Sequence, residues 1–128
     1  MKNETITALT VEPNEHLKTV QLHTDLDSLQ KAISIGADYQ GLIELVNLDE
    51  YAVILCNEEG KLISLPVNRR IGCDVIAGVF HAIGSDKHSN LISLTAQQLE
   101  SYKARFWESE NLSVQDVKHA MFMRFFTV

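Results

Sequence analysis

Apolar and polar positions alternate along this chain with two different periods, and each change of period marks an element. Thr5 to Val11 alternates weakly and predicts a strand, followed by a turn at Pro13-Asn14-Glu15. Leu17 to Leu22 alternates apolar and polar positions and predicts a partner strand with one buried face. The spacing then becomes helical. Leu26, Leu29 and Ile33 share one face, Thr24 or Asp25 can cap the start, and Asp27 suits the positive N-terminal end. Gly36 is a natural stop, because glycine takes the left-handed cap conformation cheaply. From Gly41 the pattern is extended again. Leu42 to Leu48 reads as one strand, and Tyr51 to Cys56, apolar on both faces, as a central one.

Asn57-Glu58-Glu59-Gly60 is the clearest turn, with Gly60 expected at positive φ, and Lys61 to Leu65 is its returning strand. Val75 to Ile83 predicts a further strand, with Gly78 marking a bulge or a close backbone approach. Gly84 to Lys87 reads as a hairpin loop and lacks the glycine spacing of a phosphate loop; Asn90 to Leu94 is a short strand. Thr95 and Gln98 form a capping box, opening a helix to about Trp107 with Leu99, Tyr102 and Phe106 on one face. Ser113 can cap a last helix with Val114, Val117 and Met121 inward. The tail residues Met121, Phe122, Phe125 and Phe126 either finish the core or meet a second subunit. The pattern predicts an α+β fold: a mostly antiparallel sheet with two or three helices packed on it. Residues 1–110 are expected to form one domain, and 111–128 a helical, apolar extension packed on it or on a partner.

Composition narrows the partners more than the fold. The chain has 128 residues, 45% of them apolar, and a formal net charge of -6. That is ordinary globular content, and the acidic balance argues against non-specific nucleic-acid binding, which rests on neutralising phosphates. The polar start and the lack of a long apolar run predict a cytoplasmic chain with no signal peptide and no membrane span. Cys56 and Cys73 do not make a disulfide framework.

The run Asn57 to Leu62, then Leu65-Pro66-Val67-Asn68-Arg69, then Asp74-Val75-Ile76-Ala77-Gly78 resembles a phage- and plasmid-encoded family, the domain of unknown function 3846. That family shows an N-E-E-G-K-L hairpin, an L-P-x-N-R segment, a D-x-I-x-G strand and an L-T-x-x-Q helix start, here Leu94 to Gln98. The resemblance covers about Leu17 to Phe106 and implies a mobile-element setting with no established activity.

Asn68, Arg69 and Arg70, placed by the pattern in a turn before Asp74, are the principal chemical candidates. Paired guanidiniums beside an amide suit a phosphate or carboxylate. The competing reading has Asn68 closing the turn and an arginine paired with Asp74 or a hairpin glutamate. Asn57 and Lys61 on the adjacent hairpin, with Asp74, complete the candidate surface for a ligand or partner. Glu58 and Glu59 point apart and read as exposed turn residues rather than an acid/base pair. Cys73 and His81 allow a nucleophile pair only without any supporting motif, and buried packing is the commoner reading. His16, His23, His88 and His119 show no metal-ligand spacing, and no metal or cofactor is expected.

These residues support the expectation of a non-enzymatic binding protein of a mobile element. It would take an anionic small molecule or a host protein through the Asn68–Arg70 turn, in a counter-defence role by analogy. The alternative is a homodimeric interaction module using the apolar tail. A small hydrolase or transferase using Asp74, His81 and Cys73 is the third class.

Overall fold

The computed structural model describes residues 4–13, 17–35, 37, 40–59, 65, 67–71 and 74–107. The elements run β1 (Thr5–Val11), β2 (Leu17–His23), α1 (Leu26–Ile33), β3 (Ile43–Asp49), β4 (Ala52–Asn57), β5 (Val67–Ile71), β6 (Asp74–Ala77), β7 (Phe80–Ser85), β8 (Leu91–Ile92) and α2 (Ala96–Phe106). The main sheet has the order β2-β1-β7-β4-β3, with β8 also paired to β7. β5 and β6 form a separate two-stranded sheet. Every strand pairing among the described residues is antiparallel, which establishes the α+β class.

Local chemistry explains the helix starts. Asp25 is the N-cap of α1: its carboxylate accepts from the Ser28 N–H at 3.0 Å and the Ser28 hydroxyl at 2.9 Å. Those bonds hold its carboxyl below the usual range. Thr24, the other candidate, is buried and ties the chain to β1 instead, its hydroxyl accepting from the Glu4 N–H at 3.0 Å. At α2 the Thr95 hydroxyl accepts from the Gln98 N–H at 3.1 Å, and Gln98 Oε1 accepts from the Thr95 N–H at 2.9 Å, so the capping box forms as expected.

The sheet is covered on both faces. Leu29 and Ile33 of α1 pack with Ile6, Ala8, Leu55 and Ile83 on one side. Tyr102 and Phe106 of α2, with Ile71 of β5 and Ile76 of β6, pack with Leu9, Val11, Ile54, Phe80 and Ala82 on the other. The rings of Phe80 and Phe106 meet edge to face, their centroids 5.3 Å apart. β4 is buried on both faces, as its uninterrupted apolar run predicts.

The expected single strand from Val75 to Ile83 is two strands in two sheets. Gly78 takes φ 84° between them and turns the chain out of register. β6 pairs with β5, while β7 lies between β1 and β4 in the main sheet. Both halves are buried, so their apolar run conceals the break. Asn68 to Arg70 lie in β5 rather than in a turn. The expected returning strand, Lys61 to Leu65, lies outside the described residues except for Leu65, which is not in a strand. Gly36 and Gly60 lie outside them too, as does the whole segment after Trp107, including Met121, Phe122, Phe125 and Phe126.

The β7–β8 connection is a compact loop. The Asp86 N–H donates to the Asn90 carbonyl at 3.1 Å and the Ser89 N–H to the Asp86 carbonyl at 3.0 Å. Ser89 sits at φ 63°, the left-handed position that ends such a hairpin loop.

Candidate binding surface

Asn68 and Arg69 are buried, each 1% exposed. The Asn68 amide donates from Nδ2 to the Val11 carbonyl at 2.8 Å and to the Gly78 carbonyl at 2.9 Å. Its Oδ1 accepts from Arg69 Nη1 at 2.8 Å. Arg69 donates from Nε at 3.3 Å and Nη2 at 3.0 Å to the carbonyl of Phe106, the last residue of α2. A cation at a helix C-terminus meets the negative end of the dipole, and it satisfies a carbonyl that has no partner within the helix. The pair therefore braces the end of β1, the break at Gly78 and the end of α2. Arg69 does not present its guanidinium to solvent, which corrects the expectation of an open arginine clamp at this residue. Arg70 and Asp74 stand opposite Val75 and Ile71 in the β5–β6 register. Lys61 lies outside the described residues.

Asn57 ends β4, and its Oδ1 accepts from the Glu59 N–H at 2.9 Å, the turn-opening bond its position predicts. The residue is 5% exposed, and its Nδ2 has no hydrogen-bond partner among the described residues. Glu58 beside it is exposed. Cys56 is buried, its thiol 3.8 Å from Glu44 Oε1.

His81 is 3% exposed, with its ring satisfied at both nitrogens. Nε2 lies 2.9 Å from the Ala32 carbonyl and Nδ1 2.8 Å from the Thr10 hydroxyl. A carbonyl only accepts, so Nε2 carries the proton and the Thr10 hydroxyl donates to Nδ1. Burial holds the imidazole below its ordinary pKa, against the Ala32 bond, which favours the cation. Cys73, its imagined partner, lies outside the described residues.

Grooves on the surface lie away from His81. One of about 570 Å³ is lined by Glu4, Thr24, Asp86, Ser89, Asn90 and Leu91 among others. The Asp86 carboxylate there already accepts from the Asn90 and His88 N–H groups and from the Asn90 amide. A second, of about 230 Å³, runs between the β3–β4 turn and α2. In it the Tyr102 hydroxyl donates to Asp49, and burial together with that bond pushes the phenol up to about 12.

The two edges of the main sheet differ in kind. On β2 the exposed side chains are polar: Lys18, Thr19, Gln21 and His23. Lys18 pairs with Glu12 at 3.1 Å. Such an edge discourages strand addition. On β3 the exposed positions include Leu45, 53% exposed, with Leu42 just before the strand and Tyr51 just after it. The Glu58 N–H donates to the Leu42 carbonyl at 2.9 Å, so Leu42 faces β4 with its backbone. The alternation of an antiparallel ladder then turns the N–H and C=O groups of Ile43, Leu45 and Asn47 outward. The register shift between Asn47 and Asp49 bounds this regular stretch. Among the described residues, exposed acidic side chains flank it: Asp49 and Glu50 at one end, Glu58 at the other. Sequence reasoning found β3 as a strand but not as an edge. The signal available was its lower apolar density than β4 and the acids on either side.

Neither a curated protein nor a solved structure matches the chain. A family model, that of the Domain of unknown function (DUF3846), matches residues 6–107, from β1 through the end of α2. The match takes in the buried Asn68–Arg69 brace and both helix caps, and it establishes that the chain belongs to this family.

Proposed function

We propose that the protein is a non-enzymatic binding module of a mobile element that works by holding a protein partner at the β3 edge of its sheet. The observation that supports this reading is the contrast between the edges among the described residues: polar and lysine-bearing at β2, unpaired and leucine-bearing at β3. Exposed strand edges are costly to leave open, and an edge kept apolar suits strand addition by another chain. The burial of Arg69 turns the reading away from an anionic small molecule and towards the other partner in the original expectation, a host protein. A counter-defence role is the setting that the mobile-element resemblance suggests.

Native mass spectrometry of the full chain purified from its host tests this. The parent is expected to carry a stoichiometric protein partner, and Leu45→Lys to lose it with its melting temperature kept, since Leu45 is half exposed. A retained small molecule with no protein partner, or a partner held equally by Leu45→Lys, overturns the proposal.

A further inference from the structure

We infer, resting on the reading of β3 as the binding edge, that its occupant is an extended basic peptide segment, added to the sheet as a further strand. The backbone supplies the affinity. Ile43, Leu45 and Asn47 turn their N–H and C=O groups away from β4, and an added strand meets them at the ladder spacing of about 4.8 Å. The side chains set the pattern. Leu45 lies opposite Leu55 on the face that α1 covers, so an apolar residue of the peptide has a neighbour there.

Charge selects the occupant. Asp49 and Glu50 stand at one end of the edge and Glu58 at the other, all exposed. Lysine or arginine towards the ends of a peptide pairs with them. A second copy of this chain does not fit the same edge. A two-fold pairing of β3 with β3 would bring the Asp49–Glu50 end of one copy to the Glu58 end of the other, between chains of net charge -6. At that strand spacing the repulsion falls inside the screening length of about 8 Å in physiological salt. The β2 edge offers no competing site, because Lys18 stands on it and its exposed residues are polar.

Fluorescence anisotropy with the full chain tests the inference, using synthetic peptides of the length of β3 that alternate valine with lysine or valine with glutamate. The valine–lysine peptide is expected to bind at least about tenfold more tightly, with the difference shrinking at high salt. Glu50→Lys with Glu58→Lys is expected to reverse the preference. A valine–lysine peptide methylated on the amides that face β3 is expected to lose about threefold to tenfold, the worth of lost backbone bonds, with no change to the protein itself. Leu45→Pro, which removes an outward N–H and keeps the β4 ladder, is expected to do the same. Equal binding of the two peptides, no binding of either, or indifference to backbone methylation overturns the inference. If that happens while Leu45→Lys still sheds a partner in the native spectrum, the edge remains the binding surface and only the basic, extended occupant is wrong. If no protein partner is present at all, the reading beneath it falls as well.

Discussion

Arg69 is the residue whose chemistry departs most from its surface stereotype. A buried guanidinium is tolerated only where hydrogen bonds replace its lost hydration, and here the Phe106 carbonyl and the Asn68 side chain both do so. Arg69→Glu puts a carboxylate against that carbonyl. It is expected to destabilise the fold by about 3 kcal/mol or more, read as a lowered urea midpoint. A variant with an unchanged midpoint would return Arg69 to the list of ligand-binding groups. His81 gives a second test, through pH. Its ordinary pKa is 6.5, and burial lowers it in the folded state. Below pH 6.5 the unfolded chain takes a proton that the folded chain refuses, so stability is full above that pH and falls as the solution is acidified. The fall continues, at up to about 1.4 kcal/mol per pH unit, until the folded imidazole itself titrates. Denaturation series between neutral and mildly acid pH are expected to show this slope in the parent and a shallower one in His81→Gln.

At the scale of the element, the outcome depended on how far apart the determining residues lie. The α2 cap was legible because its partner sits three residues away, Thr95 with Gln98, while at α1 the sequence left Thr24 and Asp25 as alternatives and the bond from Ser28 selects Asp25. The doubly buried character of β4 was legible from its unbroken apolar run. The break at Gly78 was not, because β6 and β7 are both buried and carry the same apolar signature. The brace escaped for a related reason: Arg69 and Phe106 are 37 residues apart, and nothing local marks an arginine as the cap of a distant helix. Gly78 carries a prediction of its own. It holds φ 84°, and an added Cβ would lie 2.8 Å from Leu65 Cδ1. Gly78→Ala is therefore expected to cost about 1–3 kcal/mol, conformation and crowding adding together, as measured by chemical denaturation. An alanine variant as stable as the parent would show that the chain turns between β6 and β7 by another route.

At the scale of the whole molecule, the main sheet ends at β2 and β3 among the described residues, and the polar character of the β2 edge leaves β3 as the place where new backbone bonds are proposed to form. The residues matched by the family end just after α2, and Arg69 donates to the carbonyl of its last residue. The apolar tail beyond it lies outside the described residues.

The central place of β7 has a consequence in time. β1 with β2 and β3 with β4 are local hairpins, and synthesis completes both before Phe80 is added. Thr10 and His81, which meet across the β1–β7 ladder, are 71 residues apart. Until β7 arrives, the nascent chain holds two half-sheets whose most apolar strands, β1 and β4, are both unpaired on one side. Folding waits on a long loop closure, which places the chain among slow folders and exposes it to aggregation while it is being made. Native-state hydrogen exchange is expected to carry the mark of that order: amides of β1, β4 and β7 open together only on global unfolding, and those of β2 and β3 exchange sooner. A β7 that exchanges ahead of β2 would show that the last strand to be delivered is also the first to leave.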